Sequence, residues 1–286
     1  MTANFQLVRT AAEVRAFVGA CHAQGKKVAL VPTMGALHEG HLSLCEVGRQ
    51  HAQAVVLTIF VNPLQFGPNE DLARYPRQLE VDCELCRARG VDLVFAPGVE
   101  EMYPAGFDTH VEPGAVASRW CGASRPGHFR GVATIVLKLL NMAMADVAVF
   151  GEKDYQQLQV LRQMAADLNH PTAVLGAPIL REPDGLAMSS RNVYLSGDER
   201  LRALAISRAL TQAQARVQAG ARDAQALGLE IAADIAAAGG RVDYAAVVDA
   251  ATLEPLAQLD RPARALVAAF FGRTRLLDNR TLFPVA

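Results

Sequence analysis

The feature that most restricts the fold of this chain is an alternation that runs from residue 28 to residue 175, where short β-branched apolar runs take turns with helical patterns. Val28-Ala-Leu-Val31 runs into Pro32 and Gly35, and Ala54-Val-Val-Leu-Thr-Ile-Phe-Val61 is stopped by Asn62-Pro63. Residues 91–95 end before Pro97-Gly98, and residues 147–150 and 172–175 are each closed by glycine. Between these runs, residues 42–51, 79–89, 132–144 and 156–168 carry helical spacing. Near-continuous apolar strands separated by helices predict a parallel sheet covered on both faces, an α/β, Rossmann-like, doubly wound arrangement. Ligands of such sheets sit beyond the carboxyl ends of the strands, which places interest on the turns after Val31, Val61 and Phe150.

The texture changes near Pro178. Residues 198–219 and 222–238 read as Ala-rich helices joined at Gly220, followed by strands at 244–248 and 265–271. This predicts a Rossmann-like domain over 1–177 and a smaller α+β domain over 178–286. With 51% hydrophobic and 20% charged residues, the chain has ample material for a core, which excludes disorder as a description of the whole. Its formal net charge of −1 excludes bulk attraction to nucleic acid or to an anionic membrane as the organising feature. Five scattered cysteines do not form a secreted disulfide framework, and Met-Thr-Ala-Asn-Phe-Gln lacks a signal-peptide pattern. The longest apolar stretch, 132–150, is broken by Lys138, Asn141 and Asp146, so it reads as a buried helix and strand rather than a span. The expectation is a cytoplasmic protein that partners neither nucleic acid nor membrane.

Three segments can carry chemistry. Pro32-Thr-Met-Gly-Ala-Leu-His-Glu-Gly-His41 follows a strand and opens a helix, so His38 and His41 can project from one side. Gly35 and Gly40 let a ligand approach the backbone, and free N–H groups at the helix start favour phosphate. Taken alone, two histidines at this spacing are as well read as loop and cap residues, and zinc would need more ligands than the neighbourhood supplies. Gly151-Glu-Lys-Asp154 follows the strand at 147–150: Lys153 can neutralise phosphate charge, and Asp154 can hold a ribose hydroxyl or a magnesium-bound water. Its bland alternative is a solvated charged turn. Met188-Ser-Ser-Arg-Asn192 offers two hydroxyls and the bidentate guanidinium of Arg191 to phosphates, or else a polar turn capping the next helix.

Other segments say less. Asn62-Pro-Leu-Gln-Phe66 places amides at a strand end, where they read hydroxyls and carboxylates or merely cap a turn. Cys83 and Cys86 fall in mid-helix pattern with no second pair, which points to packing. Arg125-Pro-Gly-His-Phe-Arg-Gly131 is a basic loop before a helix that suits an anion, with no role assignable to its members.

These residues carry a resemblance. His38-Glu-Gly-His41 is similar to the His-x-Gly-His signature of the nucleotidyltransferase superfamily that includes class I aminoacyl-tRNA synthetases, and Met188-Ser-Ser-Arg191 resembles its phosphate-binding signature. The chain as a whole resembles the pantothenate synthetase (pantoate–β-alanine ligase) family. The resemblance rests on residues 31–41, 60–66, 71–77 (Asp71-Leu-Ala-Arg-Tyr-Pro-Arg77), 124–131, 150–157, 189–192 and 275–279 (Arg275-Leu-Leu-Asp-Asn279), in family order. Tyr155 stands where phenylalanine is usual and Met188 where leucine or methionine occurs, neither touching a charge the chemistry needs.

The resemblance implies ATP-dependent condensation of pantoate with β-alanine through pantoyl adenylate, releasing pyrophosphate and then AMP, with magnesium bridging phosphates and a homodimeric assembly. It implies a catalytic set of His38, His41, Lys153 and Arg191, with His41 as proton donor. It implies ATP contacts from Met34, Gly35, Ala36, Leu37, His38, Glu39, Gly40 and His41, from Gly151, Glu152, Lys153 and Asp154, from Leu180, and from Met188, Ser189, Ser190 and Arg191. Gln65 would bind pantoate and β-alanine, Gln157 pantoate, and Asn62 is a weaker substrate candidate. Residues that would contact magnesium are not assigned. Two other readings compete: adenylyl transfer to a phosphate ester, which the neutral Gln65 and Gln157 disfavour, and a nucleotide-binding regulator without turnover, which the intact His38, His41, Lys153 and Arg191 disfavour.

Overall fold

The computed structural model describes residues 5–68, 70 and 72–283. Asp71, which opens one of the family-like segments, and Met1, Thr2, Ala3 and Asn4 lie outside the described residues.

The first sheet is built from β1 (Gln6–Val8), β2 (Val28–Thr33), β3 (Ala54–Ile59), β4 (Leu93–Phe95), β5 (Val147–Gly151) and β6 (Ala173–Ala177). Its strand order is β1-β4-β3-β2-β5-β6 and all its pairings are parallel. The helices between are α1 (Ala11–Ala23), α2 (Glu39–His51), α3 (Leu79–Ala88), the short α4 (Val99–Met102) and α5 (Cys121–Ser124), α6 (His128–Ala143) and α7 (Tyr155–Asp167). The expected doubly wound sheet is present. Alternate residues of one strand serve opposite faces. Val28 and Leu30 pack with α1, α6 and α7, whereas Ala29 and Val31 pack with Leu44 and Cys45 of α2 and Cys83 and Cys86 of α3. Two-sided burial explains why these strands read as unbroken apolar runs.

The chain reverses its direction of travel across the sheet between β2 and β5, which creates the switch point where such sheets bind ligands. Here β2 and β5 pair only at Ala29–Val147 and Leu30–Ala148. Beyond that register the two strands run on to Thr33 and Gly151 unpaired with each other, and a crevice opens between their carboxyl ends.

The second sheet is antiparallel, with β7 (Arg241–Asp249), β8 (Ala263–Phe271) and β9 (Thr274–Phe283) in that order, backed by α8 (Gly197–Gln218) and α9 (Ala224–Ala237). Its core joins Ile206 and Leu210 of α8, Ile231 of α9 and Val267 and Phe271 of β8.

Several elements differ from the sequence expectation. β1 and α1 were not anticipated: β1 is three residues long with two exposed, too short for a periodic signal. α1 does carry a legible start, because Thr10 and Glu13 form a capping box. β9 was hidden by its polar residues. α6 begins at His128 rather than 132, after Gly127 adopts a left-handed φ of 80°. The basic segment 125–131 is therefore half loop and half first helical turn.

Candidate active site

A cavity of about 230 Å³ lies at the crevice, lined by Pro32, Thr33 and Met34 of β2 and its turn, by Gly151 at the end of β5, and by Lys153 and Asp154 just after it. His38, Gly40 and His41 line it from the start of α2, Asn62 and Gln65 from the turn after β3, and Gln157 from α7. Leu180, Met188, Ser189, Ser190 and Arg191 close the opposite wall. Four sequence segments far apart in the chain thus meet around one space. Of the expected nucleotide contacts, Gly35, Ala36, Leu37, Glu39 and Glu152 are not among the residues lining it.

Local chemistry explains those exceptions. Gly35 has φ +82° and Ala36 φ +51°, so the chain turns sharply after β2. The turn is held by Asp82 of α3, whose carboxylate accepts the N–H of Ala36 and of Leu37, both at 2.9 Å. Thr33 Oγ1 accepts the Gly35 N–H at 3.2 Å. The N–H groups of Gly35, Ala36 and Leu37, in the turn before α2, therefore face inward. Glu39 is exposed and paired with Arg89 at 2.6 Å, and Glu152 pairs with Arg264 at 2.8 Å.

His38 caps α2, and its Nδ1 accepts the Gly40 N–H at 3.1 Å. That bond makes Nδ1 the acceptor and leaves Nε2 as the protonated nitrogen. A Cβ on residue 40 would stand 2.9 Å from His38 Nδ1, so glycine is needed for the ring to fold back over the helix start. The His38 and His41 rings lie 4.1 Å apart, centroid to centroid. Burial, then the nearby Lys153 ammonium, pushes the His38 imidazole down to about 4. Burial, then His38 and Lys153, pushes His41 down to about 3. Both are neutral donors at physiological pH. His41 lines the cavity, and its Nδ1 is buried without a partner among the described residues.

Lys153 Nζ lies 3.3 Å from Asp154 Oδ2. Burial works to raise the Asp154 carboxyl, but Lys153 and then Arg191 hold it below the usual carboxylate range. Asp154 is the one carboxylate among the described residues lining the cavity. Ser189 caps the turn Ser190–Tyr194 by accepting the Arg191 N–H at 3.2 Å. Its capping role uses an acceptor and leaves the hydroxyl proton for a ligand.

At the turn after β3, Asn62 is 1% exposed and fully engaged. Its Oδ1 accepts from Leu64 N and from Tyr103 Oη, and its Nδ2 donates to Gln65 Oε1 at 3.0 Å and to the Gly131 carbonyl at 3.1 Å. Asn62 therefore orients Gln65. The basic segment finds its place here as well. His128 Nδ1 meets the Gln65 carbonyl at 2.8 Å, and Arg125 Nη1 meets His128 Nε2 at 2.9 Å. Because arginine only donates, Nε2 is the acceptor and Nδ1–H donates to Gln65. Arg125 also forms a paired contact with Glu70, so this cation is already neutralised.

Sequence reasoning missed Asp82, and a signal for it existed. Leu79, Asp82, Cys83 and Cys86 share one face of α3, and an acidic residue on an apolar stripe needs a buried partner. Cys83 and Cys86 are buried and free, as are Cys21, Cys45 and Cys121, which leaves Cys83 and Cys86 a packing role. Among the described residues no group of three or more His, Cys, Asp or Glu side chains is placed to hold a metal, and no helix is long and apolar enough to cross a membrane.

Comparison with known proteins agrees with this geometry. The family model for pantoate-beta-alanine ligase matches residues 6–281. A pantothenate synthetase from Myxococcus xanthus is 53% identical over 279 residues, covering 96% of each chain. The crystal structure of pantothenate synthetase from Thermus thermophilus superimposes with a TM-score of 0.92 at 47% identity, covering 98% of this chain and 100% of that one. The pantoate-beta-alanine ligase of Francisella tularensis, complexed with beta-gamma ATP and beta-alanine, gives 0.81 at 32% identity over 97% of this chain and 98% of that one. With its switch-point cavity, its paired histidines and a match along nearly its whole length, the chain belongs to the pantoate–β-alanine ligase family.

Proposed function

We propose that the cavity at the β2–β5 switch point condenses pantoate with β-alanine, driven by cleavage of ATP, in two steps. The observation that carries this reading is the convergence of Lys153, Arg191, Ser189, Ser190 and the neutral pair His38 and His41 on a space lined, among the described residues, by one carboxylate, Asp154. In the first step a pantoate carboxylate oxygen attacks the α-phosphorus, the bond to the β-phosphate oxygen breaks, and pyrophosphate leaves. Negative charge gathers on the transferring phosphoryl group and its leaving group, where pre-placed cations and N–H donors stabilise it most. Lys153 and Arg191 supply charge there, Ser189 and Ser190 supply hydroxyls, and His41 donates from an imidazole that carries no net charge. His38 packs beside His41 at the nucleotide.

In the second step the neutral β-alanine amine attacks the acyl carbon, the bond from that carbon to the phosphate oxygen breaks, AMP departs with its electron pair, and the nitrogen releases a proton. AMP is a far better leaving group than oxide, which is why ATP is required. Gln65 and Gln157 bind pantoate through neutral amides, Gln65 also faces β-alanine, and Asn62 acts through Gln65. The adenosine lies along Gly151 and Leu180. None of these steps requires an enzyme nucleophile, so positioning and electrostatics account for the catalysis.

Magnesium suits this donor set as a guest of the nucleotide, since the ion is commonly held by substrate phosphates plus one or two carboxylates. Asp154 is the lining residue that would reach it, and the ion would neutralise phosphate charge. A boundary at 177/178, with residues 178–286 closing over the adenylate to exclude water, fits the separate second sheet. Free, buried cysteines and ATP consumption fit a cytoplasmic setting. A homodimer is the assembly we infer, checked by a solution mass twice the 30.6 kDa of one chain.

The deciding experiment is pantoate-dependent exchange of labelled pyrophosphate into ATP without β-alanine. Exchange, followed by pantothenate formation when β-alanine is added, is the expected result. ATP binding without exchange would overturn the reading.

A further inference from the structure

The second domain does more than face the cavity. Asn279 on β9 is 3% exposed, and its Nδ2 donates to two consecutive main-chain carbonyls, Glu152 O at 2.8 Å and Lys153 O at 2.9 Å. Those carbonyls belong to the single turn that presents Lys153 to the cavity. The neighbouring residue, Asp278, holds the other wall: Arg181, which follows Leu180, pairs with it at 2.7 and 3.0 Å. Arg264 on β8 adds a third tie, donating to Glu152 Oε2 at 2.8 Å with its guanidinium 3.8 Å from the Tyr155 ring centroid.

Resting on the function proposed above, we infer that Asn279 is a positioning residue for Lys153, so that the ammonium reaches the transferring phosphate only while β9 is docked on the turn. The chemistry of the amide supports this. Two carbonyls demand two donors from one direction, which an NH₂ group supplies and a carboxylate of the same shape does not. The Oδ1 of Asn279 has no partner among the described residues, so the amide keeps its orientation for the sake of the two donated bonds alone. A buried bond made at the backbone also fixes Lys153 where the long side chain alone cannot, since its rotamer freedom is large.

The test measures pantoate-dependent pyrophosphate exchange in wild type, Asn279→Ala, the isosteric Asn279→Asp, and a control, Trp120→Phe. The control removes a different bond between the first and second domains, Trp120 Nε1 to Leu253 O at 2.9 Å, which does not touch the turn. Both Asn279 variants are expected to lose about tenfold or more in kcat, as a displaced catalytic group does, with KM for pantoate within about twofold and a melting transition that stays cooperative at a lowered temperature, because two buried carbonyls lose their donors. Trp120→Phe keeps wild-type kcat. Wild-type kcat in Asn279→Ala, an effect confined to KM, an equal loss in Trp120→Phe, or unfolding of both Asn279 variants would each overturn the assignment. Absence of exchange in the wild-type chain overturns the functional reading itself and this inference with it.

Discussion

The Asp82 carboxylate and the Leu37 backbone N–H stand 45 residues apart in the chain and 2.9 Å apart in the fold. With the second bond, to Ala36, one buried carboxylate holds the turn that delivers His38 and His41 to the cavity. Replacing Asp82 with Ala leaves two buried donors unpaired, each costing about 1–3 kcal/mol. Urea unfolding is expected to show a loss of roughly 2–6 kcal/mol from the two together, with a smaller loss for Asp82→Asn. An unchanged midpoint in Asp82→Ala would remove the turn from its control.

His41→Ala should lower the exchange rate by about two to four powers of ten, the usual worth of a positioned proton donor. The ring is half-buried at the cavity wall, so the melting profile should stay close to wild type. Near-normal exchange in a natively folded variant would exclude His41 from the mechanism.

Burial, together with neighbouring cations, places His38 and His128 near 4 and His41 near 3. Unfolded, each would bind its proton near 6.5. The unfolded chain therefore takes up more protons as pH falls below 6.5, and stability drops from there towards pH 4. For the most enclosed of them, His128, the loss between pH 6.5 and 5 is at most about 2 kcal/mol. Urea midpoints at the two pH values check the direction; equal midpoints would refute it.

Gly131→Ala tests whether α6 supports the turn that presents Gln65 to the cavity. An added Cβ would overlap the Leu64 carbonyl and lie 2.7 Å from Gln65 N, and backbone atoms do not yield as a flexible side chain does. Overpacking of this kind costs about 1–3 kcal/mol or more. The expected outcome is a lower melting temperature with a raised KM for pantoate, read by calorimetry and initial rates. A variant indistinguishable from wild type in both would show that the two segments are not in register as described.

Cys45 and Cys86 should resist a thiol reagent at pH 8 until the chain unfolds. Burial is the main cause that raises both thiols, Cys45 to about 12, so neither supplies thiolate. Stoichiometric labelling of either in the native protein would contradict their packing.

Much of the site was legible because its residues sit where chain-local rules place them. His38, Gly40 and His41 follow a strand, Lys153 and Asp154 follow another, and each strand's apolar run advertises itself. The short β1 was not legible, since three residues with two exposed leave no period to detect. The role of Arg125 and His128 was not legible either. A basic loop reads as an anion site until Glu70 and the Gln65 carbonyl are seen to occupy its donors.

The sequence by itself determined the alternation of strands and helices, the strand ends where ligands sit and the chemical inventory of the cavity, because all of these depend on side-chain type and spacing along one segment; the order of the strands, and with it the switch point, came from the tertiary structure. Only the tertiary structure decided which polar groups were already engaged. Asp82 takes the N–H groups of Ala36 and Leu37, Asn62 gives its whole amide to its neighbours, and Asn279 reaches across from the second domain to the Lys153 turn. The physical reason is that a hydrogen bond between residues 45 or 126 positions apart leaves no periodic trace in either segment. Its partner is chosen by where packing brings two backbones together.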